Sequence, residues 1–317
     1  MARVKVLVLG GTGFVGRNVM ETLERGQIRC IAASRSTGTD LRNIETAKEL
    51  LYREKPDIII NCAAHVGSLN YVSKQAADVV ADNSRMILNL YEAVAAKCPD
   101  ALLINPIANC AYPNTASTFE EDHLWDGGLH RSVLSFGSTR RMLWCVGECF
   151  QMQHNIRSIH LLVPNMYGPY DSTDPNKAHA LNALAYKFVH AEMTGKPEVV
   201  VWGTGAAVRE WLFAADFARV VLDIVKGPRR AGLDEPLNIA QNFGLSVREL
   251  VNQIACAANF KGTVRYDHDL PDGASRKVMD DRRFRKVFPE FEFTGLGAGL
   301  KDTVNYYRSV HAALPER

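Results

Sequence analysis

The chain has 317 residues, 47% of them apolar and 23% charged, with a formal net charge of +2. That balance is enough to build a sizeable folded core, and it excludes a disordered, charge-dominated chain. No global field draws the protein toward nucleic acid or an anionic membrane, so an anionic ligand has to be held locally.

No apolar run approaches the about 20 residues of a membrane span. The opening VKVLVL is too short for a secretion signal and leads straight into a glycine-rich turn. The seven cysteines (30, 62, 98, 110, 145, 149 and 256) form no CxxC pair. They read as free thiols in a reducing, cytoplasmic setting, with no metal site.

In chain order, short β-rich runs alternate with amphipathic ones. Residues 4–9 predict a buried strand, 14–25 a helix and 30–33 a strand. A helix over 45–54, a strand over 57–61, a long helix over 76–97 and a strand over 101–106 follow. A helix over 138–154 and a strand over 158–162 close the first half. Continuous apolar strands between helices imply an α/β fold, a doubly wound parallel sheet covered on both faces. Beyond 163 the rhythm weakens, with helices expected over 182–194, 214–226 and 246–258. The predicted division is a dinucleotide-binding domain over 1–163 and 214–240, and a smaller substrate lobe over 164–213 and 241–317.

The stretch GGTGFVG (10–16) sits between the first strand and the first helix. Gly10 permits the tight turn, Gly13 lets backbone approach a pyrophosphate, and Gly16 lets helix pack on strand. Thr12, Phe14 and Val15 complete this turn, whose helix N-terminus offers unpaired N–H groups to phosphate. The second strand ends in Ser34-Arg35-Ser36, where an NAD enzyme usually carries an acid for the ribose 2′-hydroxyl. Arg35 and Ser34 suit a 2′-phosphate instead, so NADP(H) is the expected cofactor.

Six stretches together carry a family resemblance: GGTGFVG, NCAAHVG (61–67), NCAYP (109–113), PNMYGPYD (164–171), VVVWGTGAAVREWLF (199–213) and PDGASRK (271–277). Over nearly its whole length the chain resembles the GDP-L-fucose synthase family, an extended short-chain dehydrogenase/reductase group. The resemblance implies a homodimer acting on a GDP-linked 4-keto-6-deoxy sugar, epimerised at C3 and C5 and then reduced at C4 by NADPH. It places Asp40, Leu41, Ala63 and Ala64 around the cofactor. Cys110 falls on the epimerisation base and His179 on its acid partner. Asn165, Leu184, Lys187, Trp202, Arg209 and Lys277 fall on positions that hold the sugar nucleotide, Arg209 as a pyrophosphate clamp and Lys187 in place of a family arginine. Taken alone, Cys110 reads as a structural thiol, His179 as a surface histidine and Trp202 as core packing. A cysteine and a histidine are a sensible pair across a sugar ring, because both titrate within reach of neutral pH.

The resemblance also implies a Ser/Tyr/Lys redox triad, and here those positions read Ala108, Phe136 and Arg140. Phenylalanine has no proton to give, and alanine has no hydroxyl to polarise a carbonyl. Arg140, at a cofactor-binding and catalytic position, stays protonated but supplies a fixed cation that favours an enolate. The expected activity is therefore epimerisation of a hexose or heptose with the C4 reduction weakened or lost. Two other readings stand beside it: a 4-ketoreductase with an unconventional proton donor, and an inactive nucleotide-sugar-binding protein. The helices over 76–97 and 138–154 are expected to pair across the dimer, with Ile87, Leu88, Leu90, Met142, Trp144, Val146 and Phe150 as the apolar surplus.

Overall fold

The computed structural model describes residues 4–116, 118–227, 232–269 and 273–313. Its first half runs β1 (Val6–Leu9), α1 (Phe14–Arg25), β2 (Cys30–Ala33), α2 (Ile44–Glu54) and β3 (Ile58–Asn61). It continues through α3 (Leu69–Lys74), α4 (Ala76–Lys97), β4 (Leu102–Ala108), α5 (Leu134–His154) and β5 (Ser158–Val163). The second half begins with β6 (Asn165–Tyr167), α6 (Ala180–Met193), β7 (Glu198–Trp202), β8 (Val208–Arg209), β9 (Trp211–Phe213), α7 (Ala214–Lys226) and β10 (Leu237–Asn238). It ends with β11 (Leu245–Ser246), α8 (Val247–Ala257), β12 (Thr263–Asp267), β13 (Arg276–Lys277), α9 (Arg282–Val287) and α10 (Leu296–Ala312).

The main sheet is six-stranded, in the order β2-β1-β3-β4-β5-β10, and every pairing in it is parallel. Strand periodicity explains the run of apolar residues in β1. Leu7 and Leu9 join the core under α2, α4 and α5, whereas Val6 and Val8 join the core under α1 and α7. A third cluster lies apart from the sheet, built by α6, α8 and α10 around Phe188, Ile254, Val304 and Tyr307. No described helix is long and apolar enough to cross a membrane.

Two expectations need correction, and one helix lay outside the sequence reading. Helix α5 starts at Leu134 rather than at 138, so Phe136 lies inside its first turn. Gly137 has low helix propensity, but it is there for space. A Cβ at that position would stand 2.5 Å from the Cys110 carbonyl oxygen, so the helix start rests directly on the Cys110 turn. Helix α10 was not anticipated, because Gly295, Gly297 and Gly299 mask its Leu296, Leu300 and Val304 spacing. Finally, Ile87 and Leu90 are not available to a partner. They are buried in the protomer's own core, with Trp144, Val146 and Phe150 packed against it, and Leu88 is the exposed residue of that α4 group.

Candidate active site

The glycine turn is shaped for a phosphate ligand. Gly10 has φ +71°, and a Cβ there would stand 2.7 Å from the Cys62 carbonyl. Gly13 is exposed at the N-terminus of α1, where a Cβ would stand 3.3 Å from the Gly10 carbonyl oxygen. Phe14 is buried and Val15 half-buried behind it. At the end of β2, the hydroxyls of Thr12, Ser34 and Ser36 cluster within 3.0 Å of one another, and Arg35 is exposed beside them. Asp40 is held by Arg42 rather than left open, and that contact keeps its carboxyl below the ordinary range despite some burial. Leu41 is part of the core. Ala63 and Ala64 follow β3, Ala63 half-buried and Ala64 exposed.

Cys110 occupies a short turn, Asn109–Ala111, directly after β4. It shares a small pocket with Tyr112, His130, Arg276 and Lys277, so residues from both halves of the chain meet there. Pairing of β13 with β8 sets Lys277 opposite Arg209. Lys277 loses proton affinity chiefly through burial, with Cys110 opposing that shift and Arg209 adding to it, so all three lie close together. Pro271 and Asp272 of the PDGASRK stretch lie outside the described residues.

Burial lifts the Cys110 thiol above its ordinary range, and the charges of Lys277 and Arg140 pull it only part of the way back. The sequence reading put this thiol within reach of neutral pH; in the protein alone it is predominantly protonated there. Its neighbour Arg140 is buried. Burial brings the guanidinium down to about 10, which leaves it charged at neutral pH, and Cys110 acts the other way. Arg140 lies over the Phe136 ring at 4.8 Å, and its Nη2 donates to Asn83 Oδ1 at 3.2 Å. Among the described residues its Nε has no partner, and neither does the buried Nδ2 of Asn109, the residue before Cys110. Two unpaired buried donors, one on the residue before Cys110 and one on the guanidinium whose charge acts on its thiol, suit a ligand rich in acceptors.

His179 caps α6 and is fixed by Asp171, the last residue of PNMYGPYD. Asp171 Oδ2 accepts from the His179 backbone N–H at 2.8 Å, from Nδ1 at 3.1 Å and from Asn182 Nδ2 at 2.8 Å. The Nδ1 proton is thereby held, which leaves Nε2 for a substrate. Burial pulls this imidazole down, but the hydrogen bond and charge of Asp171 outweigh it, and the net shift is upward. The Phe14 ring lies 5.3 Å from the His179 ring, so the phosphate turn and the histidine share one cleft.

The remaining predicted residues are spread more widely. Asn165 Nδ2 donates to the Glu210 carbonyl at 3.2 Å. Leu184 packs half-buried against the lobe core. The Lys187 ammonium donates to the Val200 carbonyl at 2.5 Å. Trp202 is 59% exposed, which rules out core packing as its role. Ala108 ends β4 two residues before Cys110. Sequence reasoning missed Asp171, Asn109 and Asn83, although the first two sit inside or beside motifs it had singled out.

The sheet order, the glycine turn and the cleft between the halves define an extended short-chain dehydrogenase/reductase. The NAD dependent epimerase/dehydratase family matches residues 6–240, and the chain belongs to that family of enzymes. It is 28% identical over 306 residues to the GDP-L-fucose synthase of Azorhizobium caulinodans, covering 96% of each chain. It is 27% identical over 310 residues to the GDP-L-colitose synthase of Yersinia pseudotuberculosis, covering 96% of this chain and 98% of that one. The GDP-L-fucose synthetase of Naegleria fowleri bound to NADP superposes with a TM-score of 0.86 at 23% identity, covering 99% of this chain and 96% of that one.

The charges around Cys110 give a direct test. Alkylation of Cys110 by iodoacetamide is expected to accelerate as pH rises into the alkaline range. Lys277→Met removes a charge that favours the thiolate, and it should slow the reaction about threefold to tenfold at a given pH. Mass spectrometry of the Cys110 peptide reads both effects.

Proposed function

We propose that the protein binds NADP(H) and a GDP-linked 4-keto-6-deoxy sugar, and epimerises that sugar at C3, C5 or both. The observation that carries this reading is the contrast between two sets of residues. The proton-transfer pair Cys110 and His179 is present and braced by charged neighbours, whereas Ala108 and Phe136 stand where a carbonyl reductase needs hydroxyls.

In this reading Gly13 and the α1 N-terminus hold the pyrophosphate, Arg35 with Ser34 holds the 2′-phosphate, and Arg140 lies beside the nicotinamide end. NADPH, where used, supplies a hydride for C4. Arg209, Lys277 and Trp202 hold the sugar nucleotide, with Asn165, Leu184 and Lys187 flanking it. The 4-keto group acidifies the C3 and C5 protons. The Cys110 thiolate, favoured by Lys277 and Arg140, removes one proton, and His179 returns one from the other face. Losing the general acid at Phe136 costs a reductase about 10²–10⁴ in rate, whereas enolate formation needs only stabilised negative charge. A second reading, a 4-ketoreductase with another proton donor, is favoured by the synthase names of the relatives. We also infer a homodimer through α4 and α5. An apolar groove lies between Val72, Val80 and Leu134, and Leu88 is exposed further along α4.

Three expectations follow. In D₂O with GDP-4-keto-6-deoxymannose, deuterium should enter C3 or C5 without NADPH oxidation, and Cys110→Ser should lower the rate by about 10²–10⁴. Stoichiometric NADPH oxidation would contradict the leading reading and favour the second. Calorimetry should show NADP(H) bound more tightly than NAD(H), with most of the difference lost in Arg35→Ala; equal affinities would sink that assignment. Sedimentation should give a dimer at micromolar concentration, and a monomer there refutes the inferred pairing.

A further inference from the structure

The epimerase reading leaves one need unmet: a hydroxyl to meet the C4 oxygen as the enolate forms. The loop after β3 and the short helix α3 carry a chain of groups with no role so far. The carboxylate of Asp82, on α4, lies 2.9 Å from His65 Nδ1, and His65 Nε2 lies 2.8 Å from the Tyr71 hydroxyl. The chain is wired to the altered triad. Asn83 Oδ1 accepts both the His65 backbone N–H at 3.1 Å and Arg140 Nη2 at 3.2 Å.

Two hydrogen bonds place Tyr71 between the catalytic elements. The Ser68 N–H donates to the Asn176 carbonyl at 2.9 Å, three residues before His179. The Ser135 hydroxyl donates to the Val72 carbonyl at 3.1 Å, one residue before Phe136. Gly67 leaves room for this arrangement, because a Cβ there would stand 2.7 Å from the Tyr71 ring. We propose that Tyr71, backed by His65 and Asp82, donates to the C4 oxygen of the keto sugar in place of the missing serine and tyrosine. This inference rests on the epimerase reading.

The step balances. The step requires the protonated form of His65, with Nδ1–H on Asp82 and Nε2–H on the Tyr71 oxygen, so that the phenol hydrogen is free to point at O4. Asp82 lies 2.9 Å from Nδ1 as the counter-charge that form needs. Arg42 and Arg85 also contact Asp82, and Arg140 reaches the loop through Asn83. The Cys110 thiolate takes the proton from carbon, and the C–H electron pair becomes the C=C bond. The carbonyl π pair moves to O4, which takes the Tyr71 proton, and Nε2 hands its own proton to the phenol oxygen. The products are a thiol, an enol, neutral Tyr71 and neutral His65. On reprotonation His179 gives its proton to carbon from the other face, the enol O–H returns its proton to the Tyr71 oxygen as the carbonyl re-forms, and Tyr71 returns one to His65 Nε2; Cys110 and His179 then exchange their protons with solvent. Tyr71 is then a catalytic residue, and His65 and Asp82 are positioning residues.

The test is deuterium exchange into GDP-4-keto-6-deoxymannose by the unmodified protein, Tyr71→Phe, His65→Gln and the double variant. NADPH binding verifies that each is folded. Each single variant should lower kcat about 10²-fold or more with KM changed less than about twofold, and the double should be no slower than the slower single. Exchange at the full rate in folded Tyr71→Phe, or losses that multiply in the double variant, overturns the relay alone. No exchange by the unmodified protein overturns both the relay and the epimerase reading.

Discussion

The site depends on one buried side chain, Asn83. It is fully buried on α4 and makes four hydrogen bonds. Its amide donates to the carbonyls of His65 and Val79 at 2.8 Å each, and its oxygen accepts from His65 N–H and from Arg140. Three segments far apart in sequence therefore hold one geometry: the loop after β3, the middle of α4 and the second turn of α5. An aspartate would lose both donated bonds. An alanine would strand the Arg140 guanidinium, whose Nε already has no partner among the described residues, at a cost of about 1–3 kcal/mol or more for a charged group.

With α5 fixed in this way, its start presses on the Cys110 turn at Gly137, and Arg140 and Lys277 come to flank the sulfur. Two competing effects act on that thiol, and burial is the larger. The flanking cations are what keep a thiolate accessible, and they are also what a forming enolate needs nearby. In the epimerase reading we propose, the altered positions Phe136 and Arg140 give no proton to the C4 oxygen. Hydride delivery to C4 leaves an alkoxide that needs a proton, and neither an aromatic ring nor a guanidinium supplies one. His179 faces the opposite problem, and Asp171 solves it by holding Nδ1 and the charge together.

Much of this was legible in the sequence. The bounds of α1, α4 and α7 and of β2 agree with the amphipathic spacing and β-rich runs read from residues alone, because local signals determine them. The parallel sheet followed from uninterrupted apolar strands. Local spacing could not reveal that Gly137 is a contact point, nor that β8, β11 and β13, two residues each, pair at all. Those facts depend on residues far away in sequence. The site divides in the same way. Cys110 and His179 stand in motifs, and Ala108, Phe136 and Arg140 were conspicuous as departures from one. The raised Cys110 thiol was not legible, because burial is a tertiary property. The Tyr71–His65–Asp82 chain spans 6 and 17 residues and became visible only once α3 and α4 were folded against each other.

The central claim is that proton-transfer groups, rather than a redox triad, surround the reacting sugar. The most direct measurement is a crystal structure of the protein with NADP and a GDP-linked 4-keto-6-deoxy sugar. The account predicts C3 or C5 between Cys110 Sγ and His179 Nε2, with the reacting atoms within about 3.5 Å of each other. A sugar ring bound beyond the reach of both residues would contradict it.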